Sequence, residues 1–346
     1  MDAAEFLGLE PTDDPTRWFL PVTDGIITGG DFLFGGCGLG AAVAAMERVC
    51  GRPLVWATAQ YLSFATTGEI MDLDVTVAVS GRNTAQARAV GHVGSREILT
   101  VNAALGQREL PVEGQWAVIP DVPGPDDCPV RAPRFGMERS IMTRLDVRIA
   151  VGQGWETLEG NPVPDGRSAL WVRVPDVEMS AAALSILGDY VPFGISQSLG
   201  GWHPINSLDN TLRVLRLEPS EWVLIDIRVD GLAHGFGHGV VDRDPFTDPA
   251  QGDDLVERVL GVGEQRRLLR VAATHGVRTD RAARRCPRCC GGRTVGLCRH
   301  LAVIDRGARR ARVGSRTRAT AAGRGWRRSA PGAPDRPGRT ARWRRR

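Results

Sequence analysis

One candidate nucleophile lies in a glycine-rich segment near the N-terminus. Cys37 occurs within Gly35-Gly-Cys-Gly-Leu-Gly40, directly before a stretch whose apolar residues have helical spacing. A cysteine at a helix N-terminus can form a nucleophilic thiolate, but a small buried cysteine in a tight turn is the commoner case. The same glycines superficially match a dinucleotide-binding loop, yet no parallel strand precedes them and no acidic residue follows at the required distance. We therefore expect Cys37 to be structural.

Two groups of residues have metal-binding side chains, and neither has a fixed ligand spacing. Asp230, His234 and His238 would share one face of a strand, but the glycines between them favour a bulged or turning segment. A second group has a CxxC half-site whose other half lacks the usual spacing. Its members are Cys286, Cys289, Cys290, Cys298 and His300. We therefore predict no metal and no organic cofactor.

The charge of the 346-residue chain is distributed unevenly. Residues 266–346 contain 25 arginines and three acids, whereas residues 1–265 contain 19 arginines and 37 acids, and lysine is absent throughout. Because the few aliphatic residues after 262 follow no helix or strand period, we expect residues 263–346 to be a disordered basic tail. The tail could be an arm for nucleic acid, a metal knuckle, or GC-rich DNA translated out of frame. We favour the last, because Arg, Ala, Gly and Pro have GC-rich codons, and we expect no nucleic-acid partner.

Composition limits the class of protein. With 42% apolar and 24% charged residues, the chain can form a core, and its length favours two folding units. No run of about 18 apolar residues predicts a membrane span. The acidic beginning has no export signal, and the body has three scattered cysteines, too few for a disulfide framework. These features predict a cytoplasmic protein.

The first half has the pattern of a helix followed by four antiparallel strands. Apolar residues at helical spacing begin at Cys37 and end at Cys50, before Gly51. Alternating apolar and polar residues then predict strands. The predicted strands cover residues 53–62, 71–80, 84–93 and 97–107. Residues 1–109 are therefore predicted to be an α+β unit whose sheet wraps the helix, and residues 110–137 a proline-rich linker.

The pattern returns in residues 138–262. Strands are predicted at 145–151, 169–174, 207–217 and 221–229, with a helical stretch at 180–199 that Pro192 kinks. Glu69 and Glu221 begin matching stretches, which indicates a tandem duplication. At the same interval the last strand would fall near Asp248, where apolar residues have helical spacing instead. We therefore expect this strand to be missing or altered, the reading frame to depart soon after Val241, and an exposed sheet edge to permit homo-oligomers.

Three segments together resemble the acyl-CoA thioesterase II type, and most closely its actinobacterial thioesterase-like branch. They are Phe32–Gly40, Gly51–Ser63 and Asn206–Asn210, and Trp222 and Gly235–Gly239 fit the same pattern. The resemblance covers about residues 15–241. It implies a double hotdog fold and hydrolysis of fatty acyl-CoA to the free acid and CoA, without a cofactor.

The resemblance also implies a site in which an Asp, a Thr or Ser, and a Gln position a water molecule. Asp209 matches the Asp, the hydroxyl position falls near Asp230, and Gln265 is the candidate for the Gln although its context is not that of a strand. Backbone N–H groups would stabilise the oxyanion, with Gly36 and Cys37 as candidates in the first half and Gly188 to Tyr190 in the second. The alternatives are that Asp209 is a solvated carboxylate at a strand edge, and that the protein binds acyl-CoA without catalysis.

Overall fold

The computed structural model describes residues 1–109, 114, 118–245 and 298–304. These residues lie in one compact unit, Met1–Arg306. The helices are α1 Ala3–Leu7, α2 Gly35–Cys50, α3 Trp155–Leu158, α4 Ala181–Leu187 and α5 Val191–Leu199. The strands are β1 Glu10–Pro11, β2 Arg17–Pro21, β3 Leu54–Tyr61, β4 Ile70–Ser80, β5 Thr84–Val93, β6 Arg96–Gly106, β7 Asp146–Val151, β8 Arg167–Arg173, β9 Ile205–Arg213, β10 Val223–Ala233, β11 Phe236–Pro245 and β12 Cys298–Ile304.

The described strands form one antiparallel sheet that holds the two halves together. Its order is β1-β2-β4-β5-β6-β3-β9-β12-β11-β10-β8-β7. The halves meet at β3 and β9, where Thr58 pairs with Thr211 and their hydroxyls are 2.8 Å apart. In the first half α2 packs on β3 to β6, and in the second α5 packs on β8 to β12. The α+β double hotdog predicted from the sequence is confirmed.

Helix α2 is buried because its residues are small. Gly51 ends the helix in the left-handed conformation, with φ of 59°. A Cβ atom at Gly36 would lie 2.6 Å from the carbonyl oxygen of Ile186, and one at Gly40 would lie 3.0 Å from that of Ala182. Glycine therefore permits the close approach of α2 to α4. This approach brings the beginning of α2 next to the end of α4.

The last strand of the second half comes from farther along the chain than the duplication predicts. Asp248, where the sequence interval places it, lies outside the described residues. Strand β12 lies between β9 and β11, which is the place of β6 between β3 and β5 in the first half. Its seven residues belong to the region expected to be a disordered tail, and the rest of that region lies outside the described residues. A strand here satisfies backbone groups of β9 and β11 that would otherwise form open edges.

Candidate active site

A cavity of about 610 Å³ lies where the two halves and the linker meet. Its walls come from the beginnings of α2 and α5, from β3 and β9, and from linker residues. On the side of the first half the walls are largely apolar, and the rings of Phe32 and Phe64 are 4.7 Å apart there. The polar groups that line the cavity are few, so their positions decide what the cavity can do.

Asp189 is the carboxylate that lines this cavity, and it lies where one predicted helix is broken into two. The sequence predicts a kinked helix over 180–199, whereas the structure has α4 and α5 with Gly188, Asp189 and Tyr190 between them. Pro192 explains the break, because it cannot donate the i to i−4 hydrogen bond and its ring clashes with the preceding turn. The break leaves the Asp189 side chain 6% exposed and turned into the cavity.

Two groups from different parts of the fold hold the Asp189 carboxylate. The backbone N–H of Gly36, in the first turn of α2, donates to Oδ2 at 3.1 Å. The hydroxyl of Ser207 donates to Oδ1 at 2.6 Å. The positive end of the α2 dipole favours the ionised carboxylate. A Cβ atom at Gly35 would lie 2.5 Å from Oδ2, so only glycine at this position admits the carboxylate where it lies.

Ser207 reaches the cavity because β9 contains a bulge. Asp209 pairs with Leu301 and Ser207 pairs with Ala302, so Leu208 is left over on β9. An extra residue reverses the alternation of side chains along the strand. Ser207 therefore shares a face with the fully buried Asn210, and it lines the cavity.

The same bulge directs Asp209 to the other face of the sheet. Asp209 pairs with Gln60 on β3, and the Gln60 side chain is exposed whereas its neighbour Ala59 is buried. Asp209 is not among the residues that line the cavity. The sequence analysis predicted Asp209 as the reactive carboxylate. The residue of this strand that contacts Asp189 at the cavity is Ser207, two positions earlier.

The other two positions of the expected triad do not meet at the cavity either. Asp230 is exposed at a β-bulge between Val229 and Gly231, and the cavity lining does not include it. Gln265 lies outside the described residues. Strand β12, which runs beside Ser207, contains no glutamine. The hydroxyl that contacts Asp189 at the cavity is that of Ser207.

Gly36, Cys37 and Gly188, three of the predicted oxyanion donors, already have backbone or carboxylate partners. The N–H of Gly36 donates to Asp189, that of Cys37 to Phe34 O at 3.0 Å, and that of Gly188 to Ser185 O at 3.2 Å. Tyr190 lines the cavity, and its hydroxyl lies 3.4 Å from the sulfur of Met142. These contacts exclude Gly36, Cys37 and Gly188 as donors in this conformation.

Burial keeps the Cys37 thiol and the Tyr190 hydroxyl protonated. Desolvation raises the pKa of the fully buried Cys37 thiol far above its ordinary value, and the nearby Asp189 adds to the effect. Desolvation likewise raises the pKa of Tyr190 to about 12, against the opposing effect of Arg131. Cys37 is also not among the residues that line the cavity. This placement agrees with the structural role expected for Cys37.

Comparison with known proteins identifies the class to which this architecture belongs. Residues 125–242 match the family model for the acyl-CoA thioesterase C-terminal domain. A structure described as a thioesterase from Novosphingobium aromaticivorans is 27% identical and aligns over 86% of this chain and 98% of its own, with a TM-score of 0.64. A hot dog fold protein from Alicyclobacillus acidocaldarius is 16% identical over 88% and 97%, with a TM-score of 0.63. The TesB protein of Mycobacterium avium subspecies paratuberculosis is 13% identical over 88% and 98%, with a TM-score of 0.59.

These matches confirm the double hotdog architecture. They also confirm the resemblance to the acyl-CoA thioesterase II type that the sequence predicts. None of the curated proteins matches the chain by sequence. Among the helices of the described residues, none has the length and apolar character that crossing a bilayer requires.

Two signals in the sequence could have identified Asp189. It is the one acid in the otherwise apolar and small-residue stretch 180–199, and a buried acid needs compensating partners. It also lies three residues before Pro192, where a helix is expected to break. Ser207 gave no comparable signal, because the bulge that turns it inward is formed by pairing with β12.

Proposed function

We propose that the chain hydrolyses the thioester bond of an acyl-CoA, with Asp189 as general base and Ser207 as the residue that orients the water. The observation that carries this proposal is the contact of the Asp189 carboxylate with Gly36 and Ser207 at the wall of the cavity. The carboxylate and hydroxyl converge from separate elements on one end of α2. Such convergence of polar groups in an apolar cavity is typical of a catalytic site.

The hydrogen bond from Ser207 to Asp189 determines what the serine can do. Because its proton points at Oδ1, the Ser207 oxygen presents its lone pairs to a water molecule. A water held by Ser207 and Asp189 attacks the thioester carbon, and its proton passes to the carboxylate. The C–S bond then breaks and CoA leaves as a thiolate, which needs little assistance because a thiol has a pKa of about 8.5.

The N–H of Gly35 is the donor that we assign to the oxyanion. It is the first residue of α2, where backbone N–H groups have no partner within the helix. Gly35 lines the cavity beside Asp189, and its carbonyl is fixed by the hydroxyl of Tyr61 at 2.9 Å. An N–H group at the positive end of a 16-residue helix stabilises negative charge on the thioester oxygen.

Two matched variants test the assignment of the carboxylate. Asp189→Asn keeps the size of the side chain and removes the base, whereas Asp209→Asn makes the same change two residues from Ser207 on the other face of β9. Release of free thiol from hexanoyl-CoA is the measurement. We expect Asp189→Asn to lower kcat by about 100-fold or more, since general-base catalysis contributes 10²–10⁴-fold. Asp209→Asn should retain kcat within about threefold.

The opposite ranking of the two variants would refute the role of Asp189. The alternative function is acyl-CoA binding without catalysis, and the absence of a glutamine from β12 is the observation that favours it. Calorimetric binding of hexanoyl-CoA with no thiol release from the unmodified chain would establish this alternative.

A further inference from the structure

A cation without an ion pair among the described residues lines the cavity. Arg131 lies against two aromatic rings that are nearly perpendicular to each other, with its guanidinium carbon 4.8 Å from the ring centre of Trp155 and 4.9 Å from that of Phe193. Its backbone N–H donates to Val147 O at 2.9 Å, which fixes the main chain. Among the described residues no carboxylate forms an ion pair with it, and its buried Nε has no hydrogen-bond partner.

This arrangement is costly unless an anion completes it. A guanidinium withdrawn from water loses hydration that cation–π contacts restore only in part. Desolvation accordingly lowers the pKa of Arg131 from its ordinary value, yet an arginine stays charged at neutral pH. Arg131 therefore has donors available for a ligand.

The depth of Arg131 decides which part of an acyl-CoA it would meet. The mouth of the cavity is formed by exposed side chains, among them Phe135, Phe64 and Trp202. Phe193, which stacks on Arg131, is 6% exposed. The charged and bulky nucleotide of CoA stays at the mouth, and the acyl chain enters. Arg131 and Asp189 line the same cavity as Tyr190, and both act on the pKa of its hydroxyl.

We propose that the cavity selects acyl-CoA substrates whose acyl chain ends in a carboxylate, and that Arg131 beside Trp155 and Phe193 binds this carboxylate while Asp189 acts at the thioester. The planar guanidinium presents donors in a fixed geometry that suits bidentate recognition of a carboxylate. The inference deepens the proposed function and depends on it for the position of the thioester. It identifies Arg131 as a specificity-determining residue of that site.

Paired substrates of equal length test this inference. Adipyl-CoA and hexanoyl-CoA differ in the terminal carboxylate, and so do glutaryl-CoA and pentanoyl-CoA. We expect the intact chain to bind each carboxylated member at least about tenfold more tightly than its neutral counterpart, as for a hydrogen bond to a charged group. Arg131→Met should abolish that ratio, and Arg131→Lys should retain part of it. Arg134→Met is the matched control, because Arg134 also stacks on a ring, Trp202 at 4.4 Å, but is exposed at the mouth.

Each outcome distinguishes this inference from the proposed hydrolysis. Binding is measured by calorimetry with Asp189→Asn, so the ratio is obtained whether or not the chain turns substrate over. If Asp189→Asn, which keeps Arg131, binds the two members of each pair equally, the inference is wrong. This result does not depend on the folding of an Arg131 variant. If Arg131→Met weakens free CoA and hexanoyl-CoA as much as adipyl-CoA, Arg131 binds a phosphate of CoA and the inference is likewise wrong. If the unmodified chain releases no thiol but the carboxylated substrates still bind more tightly than their neutral counterparts, only the proposed hydrolysis is refuted.

Discussion

Gly35→Ala perturbs the proposed base without touching its functional groups. The added Cβ atom would lie 2.5 Å from Oδ2 of Asp189 and 3.1 Å from the ring of Tyr61. Ordinary contacts begin near 3.4 Å, so the carboxylate must move by roughly 0.9 Å. The hydrogen bonds from Gly36 and Ser207 fix Asp189 from two sides, and the displacement therefore strains both.

The expected effect is a loss of rate with little change in stability. A displacement of about 1 Å at a catalytic group can lower the rate by about 100-fold, and we expect a loss of this order in kcat. Alanine is a better helix residue than glycine by about 0.5–1 kcal/mol, which offsets part of the local strain. KM should change little, because the apolar walls that hold the acyl chain are unaltered.

Thiol release from hexanoyl-CoA and urea unfolding of the same preparations measure these two effects. Gly38→Ala is the matched control: it lies on the same helix and lines the same cavity, but its Cβ would meet the end of the Leu99 side chain, which can rotate away. If Gly35→Ala retains kcat within about threefold while Gly38→Ala does the same, the position of the Asp189 carboxylate does not limit the reaction. The reasoning from the Gly36–Asp189–Ser207 contacts would then be wrong.

Three further predictions concern single side chains. Ser207→Ala should lower kcat by about tenfold or more, as for the loss of a hydrogen bond to a charged group. Ser207→Thr keeps a hydroxyl and should retain much of the original kcat. Equal kcat values for the unmodified chain and both variants would exclude Ser207 from the site. Cys37→Ala should leave kcat unchanged, because burial keeps the thiol protonated; a loss above tenfold in a folded variant would revive the nucleophile hypothesis. The Nε2–H of His92 donates a hydrogen bond to the Asp74 carboxylate, 2.8 Å away, and this bond raises the pKa of His92 in the folded state. The resulting stability is present below about pH 6.5 and is lost as pH rises through the raised pKa. The free energy of unfolding of His92→Asn, measured in urea, should therefore be lower than that of the unmodified chain by up to about 1 kcal/mol at pH 5.5, and the two values should converge at pH 9. A difference that grows with pH would contradict this prediction.

Local patterns predicted most of the long elements, but not β11, Phe236–Pro245, where the glycines favoured a bulged or turning segment. Alternation predicted β5 at 84–93, where the structure has Thr84–Val93, and helical spacing before Gly51 predicted α2. These patterns succeed because the core face of each element is determined by neighbours in sequence. The short elements α1, β1 and β2 before residue 22 had no pattern of their own, because they form against the sheet.

The positions of the carboxylate and the hydroxyl of the candidate site could be predicted from the sequence only in part. Pro192 predicted a kink in the stretch 180–199, and that kink is the reason Asp189 leaves the helix and enters the cavity. The family motif drew attention to Asn206–Asn210 and therefore to β9, which contributes Ser207 to the cavity wall. Within that motif the choice between Ser207 and Asp209 depended on which face each residue occupies.

Sequence alone thus determined the duplicated helix-and-sheet plan and the segments that contribute to the site, because periodicity and proline act over a few residues. Only the tertiary structure decided that Asp189 rather than Asp209 lines the cavity. Which side chains of β9 point into the cavity depends on a bulge opposite β12, whose residues lie about 90 positions away along the chain. A shift of one residue in strand pairing turns a side chain from the cavity to the opposite face, and no local pattern records that shift.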